Sequence, residues 1–335
     1  MITITNRNGT GVQKTLYLDD DKYYITQYPN GRDTLTMYVL KQNLPTIEST
    51  VSVSFYDAWR DDIVEQRYVV KNIERYGEGE YMVDCALNLS DFQAQYFLTY
   101  QTTATLRTVI ETASGRTWTP IFETTEPTDR HRFDIGGDDG GGNINGLELL
   151  EHACSIWGVY PRYDTDNKIV HITDPAQMTE QAGIPPLTQD LGLEIEGFTE
   201  NSSEIITKLY CYGAVDDTTG ERVNISSVNG GLEYLEDTSY ISDRTITAGF
   251  VDDRFKEPAE LCRAGRAYFN SLNRPKITFE ANYNRLNGFV RMFQVIPVAD
   301  IKYTTRIIEK VIYPANEERN FARLSNVIPE MNSYM

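Results

Sequence analysis

Along the first 95 residues, apolar side chains recur with a period of two. Val51, Val53 and Phe55 alternate with Ser52 and Ser54, the pattern of a strand with one face turned inward and one toward solvent. Strand-like runs at 22–28 and 33–40 flank Pro29-Asn30-Gly31, and Asn-Gly between two such runs predicts a hairpin. A second hairpin is expected from 68–73 and 81–87 across Gly77-Glu78-Gly79. Short strands with closely spaced turns predict an antiparallel β segment, a small barrel or sandwich.

From about 96 to 185 the period lengthens. Leu106, Val109, Ile110 and Ala113 fall at i, i+3, i+4 and i+7, the apolar stripe of an amphipathic helix, with Gly115 as its stop. Leu150, Ala153, Cys154 and Trp157 before Gly158 repeat the design. After each glycine comes a short aromatic strand, 118–122 and then 159–163, and a second strand, 131–135 and then 168–173. The segment reads as a duplicated helix-strand-strand unit. The tight turn Asp164-Thr165-Asp166-Asn167 of the second copy is replaced in the first by a longer loop containing Pro127.

Pro185-Pro186 opens the third segment, 186–335. It predicts a strand over 204–213, a turn at 216–220 and a strand over 222–226. A helix begins with Pro258 near its first turn, carries Leu261, Ala264, Gly265, Tyr268 and Leu272 on one face, and ends at Asn273-Arg274-Pro275. Strands are expected again at 276–283, 293–298, 305–313 and 321–327, with Pro314-Ala315-Asn316-Glu317 as the last hairpin turn. The predicted fold class is therefore α+β, mostly β. A β segment (1–95) precedes an α/β segment (96–185), and a second β segment (186–335) carries a helical insertion near 257–272.

Composition narrows the function. With 22 Tyr and 13 Phe in 335 residues, the chain leans toward strand formers. Its 31 basic and 49 acidic side chains give a net charge of -18, which repels phosphate backbones and argues against a sequence-reading nucleic-acid binder. The same sign would suit a conduit that DNA passes without sticking, although from charge alone simple solubility is the commoner reason. The N-terminal sequence lacks a basic stretch followed by an apolar one, and no run of eighteen apolar residues occurs. Synthesis and folding in a cytoplasm, without membrane insertion, are expected. Cys85, Cys154, Cys211 and Cys262 are scattered without C-x-x-C pairing, so free buried thiols are expected.

Candidate chemistry is sparse. The histidines, His131, His152 and His171, lie outside H-E-x-x-H, no serine sits in G-x-S-x-G, and no cysteine lies in a nucleophile signature. Glu148 and His152 are spaced to pair on one helix face, where surface electrostatics is the commoner role. The loop 136–143 is glycine-rich, but Asp138 and Asp139 would repel a phosphate and the P-loop lysine is missing, so a linker is the better account. Asp138, Asp139 and Asn143 lack EF-hand spacing, and Asp19-Asp20-Asp21 reads as a turn. Cys211 and Tyr212 are expected on opposite faces of one strand. Trp118 and Trp157 stand beside helix ends, where core packing competes with sugar stacking, and the tyrosines fit protein interfaces equally well. No catalytic, cofactor-binding or metal-binding residue is assigned.

Several stretches together resemble a family. LELLEHACSIWGVYPRYDTDNKIVHI resembles its helix followed by a hairpin. LEIEGFTENSSEIITKLYCYG, then NISSVNGG and YLED, resemble its following strands and turns, and TTRIIEKVIYPANEERNFARLSNV resembles its closing hairpin. These are similar to the N-terminal hub region of tail-associated proteins from phages of Gram-positive bacteria, a family labelled prophage tail endopeptidase. The resemblance implies a fold like the contractile-phage baseplate hub, with tail-tube-like β-barrels at 1–95 and 186–335. It implies a homotrimeric ring with pseudo-sixfold inner symmetry in the virion tail, through which DNA passes. The implied partners are distal tail, tape-measure and tip or fibre proteins. Many relatives continue into a hydrolase, a collagen-like stretch or a fibre, whereas this chain stops at Met335, so a structural, non-enzymatic hub without cofactor or metal is expected. The alternatives are a cell-wall peptidase or glycosidase of the tail tip, or a carbohydrate-binding receptor module.

Overall fold

The computed structural model describes residues 2–5, 14–19, 21–57, 62–135, 143–179, 195–216, 219–282, 291–298 and 304–328. The first segment forms β1 (Ile2–Thr5), β2 (Lys14–Leu16), β3 (Tyr23–Gln27), β4 (Thr34–Leu40), β5 (Thr50–Asp57), β6 (Asp62–Arg75) and β7 (Glu80–Leu87). Both expected hairpins form, β3 with β4 and β6 with β7. Gly31 takes the left-handed conformation that the first turn needs, with φ +70°. Val51, Val53 and Phe55 are buried while Ser52 and Ser54 are half-buried, as alternation requires.

The middle segment runs through α1 (Ser90–Gln93), β8 (Tyr96–Phe97), β9 (Tyr100–Ala104), α2 (Leu106–Ala113), β10 (Thr119–Phe122) and β11 (His131–Ile135). It continues with β12 (Ile144–Asn145), α3 (Gly146–Trp157), β13 (Tyr160–Asp164) and β14 (Ile169–Thr173). The whole predicted stripe of α2 is buried, and Thr105 caps the helix by accepting from Thr108 N. Asn145 and Glu148 form a capping box on α3, which ends at Gly158 with φ +66°. The two helices pack together, and Gly146 lies so close to the Ala113 carbonyl that a β-carbon would collide with it.

Helix, strand and strand do recur in order, but their pairing does not repeat. β13 and β14 form a hairpin, whereas β10 pairs in parallel with β14 and β11 pairs with β9. The first copy's strands are thus parted by their long loop and recruited elsewhere.

The third segment contains β15 (Ile195–Asn201), β16 (Lys208–Val215), β17 (Arg222–Asn224), β18 (Tyr234–Glu236), β19 (Thr247–Val251) and α4 (Pro258–Leu272). After these come β20 (Lys276–Asn282), β21 (Val295–Ile296), β22 (Thr305–Ile312) and β23 (Phe321–Ser325). α4 buries Leu261, Cys262, Gly265 and Phe269, with Ala264, Tyr268 and Leu272 packed at its margins. The buried stripe is therefore turned from the expected one, because the helix meets β16 at Gly265, where a β-carbon would stand 2.5 Å from Cys211 Sγ.

The expected barrels are not closed. Among the described residues the main sheet has twelve strands in the open order β15-β20-β23-β22-β3-β4-β7-β6-β5-β1-β2, with β21 beside β22. The join is β3 against β22, with Gln27 opposite Lys310, Thr26 opposite Val311 and Ile25 opposite Ile312. The two terminal segments thus share strands across one sheet, using an edge that each closed barrel would keep for itself. β16 to β19 form a separate four-stranded sheet under α4. One hydrophobic core runs through the first and middle segments to α4, and a smaller one lies among β20 to β23.

Candidate functional site: two polar seams

Where the segments meet, the structure buries charge. At the first seam, Asp57 at the end of β5 pairs with Arg162 on β13 at 2.6 Å, with side chains 4% and 14% exposed. Arg32, from the turn between β3 and β4, forms a fork with Glu151 of α3, both bonds 2.6 Å, the geometry that makes arginine–carboxylate pairs directional. Gln66 on β6 donates to the Tyr163 carbonyl at 2.8 Å and accepts from the Thr165 backbone and hydroxyl. Gly31 lies against the Pro161 carbonyl so closely that no side chain fits.

The turn Asp164-Thr165-Asp166-Asn167 is built for this contact. Asp164 accepts from the backbone amides of Asp166 and Asn167, fixing a tight turn that presents Thr165 to Gln66 and Asp166 to Arg67, 2.6 Å away. Asp33 and Lys310 lie deeper, flanking the β3–β22 join. Burial pushes the Asp33 carboxyl up to about 7 against the lowering effect of the Tyr28 amide, Arg162 and Gln27. Burial likewise lowers Lys310 to about 8, opposed by Asp57. A cavity of about 20 Å³ lies among Asp33, Asp57, Arg162 and Lys310, room for a water molecule but not for a sugar or peptide.

The second seam joins the middle segment to α4. His131 on β11 is held between two carboxylates, Nδ1 to Glu260 and Nε2 to Asp129, the latter at 2.7 Å. Asp129 also accepts from Trp157 Nε1 at 3.1 Å and Arg263 Nη1 at 3.2 Å, and the Trp157 ring meets His131 edge-on. Burial depresses the His131 pKa, but Glu260 and Asp129 together outweigh it, so the net shift is upward. Beside this, Lys256 pairs with Asp134 and Arg254 reaches His152 Nδ1 at 3.3 Å.

The candidate residues read from the sequence are each engaged elsewhere. Glu148 does not engage His152; its carboxylate caps the Asn145 amide, and His152 faces Phe133 and Arg254. Burial, reinforced by Arg254, lowers His152 to about 4. His171 pairs with Glu123 at 2.5 Å. All four cysteines are buried and free, and burial pushes Cys211 up to about 11, far from a thiolate nucleophile. Cys211 and Tyr212 do lie on opposite faces of β16.

Among the described residues no group of three His, Cys, Asp or Glu side chains is arranged to hold a metal. Asp129 and Glu260 take opposite nitrogens of one imidazole and so cannot converge on an ion with it. Asp138, Asp139 and the body of the glycine-rich loop lie outside the described residues, as does Asp20; Lys22 N donates to Asp19 O in the expected turn. Trp118 and Trp157 are buried and donate to Asp91 and Asp129, so both have core roles. No helix among the described residues is long and apolar enough to cross a membrane. The seam residues carried no sequence signal beyond the Asp164 turn, since their partners lie about a hundred residues away.

A mostly β chain with its terminal segments joined in one sheet has the fold of prophage tail proteins. It superimposes on prophage tail protein gp18 from Listeria monocytogenes EGD-e with a TM-score of 0.68 at 14% identity, over 97% of this chain and 94% of that one. The 43 kDa tail protein of prophage MuSo2 from Shewanella oneidensis gives 0.62 at 16% identity, covering 98% and 99%. The tail protein from Neisseria meningitidis MC58 gives 0.58 at 9% identity, again covering 98% and 99%. Residues 194–335 match the family described as Prophage endopeptidase tail, in agreement with the resemblance read from the motifs. No curated protein matches the sequence.

Proposed function

We propose that the chain is a structural, non-enzymatic hub of a phage or prophage tail, in which three copies form a ring that joins the tail tube to the tip and lets DNA pass. The observation that carries this reading is the likeness to prophage tail protein gp18 over nearly the full length of both chains. The seams support it, because they spend the chain's buried charge on rigid connection. Asp57–Arg162, Arg32–Glu151 and Glu260–His131 each tie residues more than a hundred positions apart. Such a body transmits load between the faces of an assembly. A net charge of -18 suits a lumen that DNA traverses without binding.

In this reading 1–95 and 186–335 supply the tube-like parts, closed only by neighbouring copies, and 96–185 braces them. Distal tail, tape-measure and tip or fibre proteins are the expected neighbours. The test is light scattering on the full chain, alone and with those neighbours, beside a digestion of Gram-positive cell walls. A threefold mass with the neighbours and no released fragments is expected. Released peptide or sugar fragments, or a chain that stays monomeric with its neighbours present, would contradict the proposal.

A further inference from the structure

The cavity at the first seam lies where all three segments meet, and the charges on its wall do not balance. Asp33 comes from the β3–β4 turn, Asp57 from the end of β5, Arg162 from β13, Lys310 from β22, and Arg291 and Phe293 from the turn ahead of β21. Among the described residues that line it, three are cationic, Arg162, Arg291 and Lys310, and two are acidic, Asp33 and Asp57. Asp33, Asp57 and Lys310 are buried, and Arg162 is mostly so. Buried charges are screened little, so a surplus cation is costly unless a counter-charge stands beside it.

The surplus grows as pH falls. Asp57 is engaged by Arg162 Nη1 at 2.6 Å, and burial raises the Asp33 carboxyl to about 7 while lowering Lys310 to about 8. Below neutral pH, Asp33 is mostly protonated and Lys310 charged, so three cations face Asp57 alone. Gln27, Tyr28, Arg162 and Lys310 face Asp33, with Tyr68 and Tyr163 near enough to feel its charge, and Asp57, Arg162 and Asp33 face Lys310. The turn that brings Arg291 to the wall is tightly specified. Arg291 N donates to Gln294 Oε1 at 2.9 Å, Gln294 N returns to the Arg291 carbonyl at 3.1 Å, and Phe293 N donates to the Ile307 carbonyl at 2.9 Å. Phe293 itself has φ +61°, and its ring centroid lies 4.7 Å from that of Tyr160. An aromatic residue held left-handed is strained, and such strain clusters at ligand clamps.

We propose that this cavity binds one small monovalent anion of the halide class, held by Arg162, Arg291 and Lys310. Size and charge together select the ligand. A volume of about 20 Å³ exceeds the roughly 10–15 Å³ that one water needs, yet it is too small for sulfate, phosphate or an organic acid. Water would fill the space and leave the surplus charge uncompensated, and a metal cation would meet three like charges. An anion here links β13 of the middle segment to β22 and to the turn ahead of β21. The site is specific against its background, because a chain of net charge -18 disfavours anions on its outer surface.

This inference stands apart from the hub reading and is tested by chlorine-35 NMR on the full chain in sodium chloride. Excess chloride line broadening is expected, reversed by sodium bromide and not by sodium sulfate at matched ionic strength. Affinity should be at least about threefold tighter at pH 6 than at pH 8.5. Arg291→Met should weaken it at least about tenfold, and Arg244→Met, at an exposed arginine outside the cavity, should leave it unchanged. The proposal is overturned by an absence of excess broadening, by equal reversal with sulfate, or by an affinity that does not tighten as pH falls. Broadening that persists in folded Arg291→Met would mean an adventitious ion only, and would overturn it too. If Arg291→Met does not fold, crystals of the natural chain soaked in sodium bromide decide. An anomalous peak within about 3.5 Å of a side-chain nitrogen of Arg162, Arg291 or Lys310 is expected, and peaks confined to the outer surface would overturn the proposal.

Discussion

At Gly31 the demands of a turn and of a distant contact fall on one residue. The motif Pro29-Asn30-Gly31 was readable as a hairpin turn, because the left-handed conformation has a local signature. Its contact with the Pro161 carbonyl was not, since nothing in either stretch marks the other. Gly31→Ala is expected to cost at least about 2 kcal/mol, combining left-handed strain with overpacking, measured by denaturant unfolding; a loss below that of a surface change would show that the turn does not brace β13.

Asp57 makes a second residue-scale case. Replacing it with alanine removes the buried carboxylate that Arg162 Nη1 donates to, and an unfolding loss of about 3–5 kcal/mol is expected. Asp33 bears on pH. Its folded pKa, about 7, lies above the ordinary 3.8, so the folded state holds the proton more tightly and stability falls as pH climbs between those values. Asp33→Asn should flatten the stability profile across that window, and an unchanged slope would remove Asp33 as its source.

Among the elements, those with a local period were legible and those defined by remote pairing were not. The β3–β4 and β6–β7 hairpins and the helices α2, α3 and α4 followed from alternation, stripes, caps and glycines. β9, β18 and β19 escaped notice because they are short and take their regularity from partners. The joins of β3 to β22 and of β10 to β14 have no local signature at all, and where the family resemblance implied separate closed barrels, one open sheet forms among the described residues.

The clamp between β11 and α4 carries its own prediction. The His131 pKa is raised in the folded state, so its contribution is fully present below the ordinary value of 6.5 and fades as pH rises through the folded value. Glu260, Asp129, Arg263 and Trp157 are the groups that face it. Unfolding of the natural chain and of His131→Gln across pH 5.5–8.5 should show a stability gap that shrinks with rising pH. A constant gap would mean that the imidazole acts by shape alone.

For the whole molecule, the acidic balance and the β, α/β, β succession were legible early. The use of the seams as braces emerges only from the folded chain, where buried ion pairs connect three segments that the sequence presents as a simple β, α/β, β succession. The central claim is that such a braced body forms the ring of a tail. Electron cryomicroscopy of intact tail particles carrying this chain tests it most directly. Three copies around the tail axis, at the junction of tube and tip with an open lumen, are predicted; a position off the axis, a copy number other than three, or absence from the particle would contradict the account.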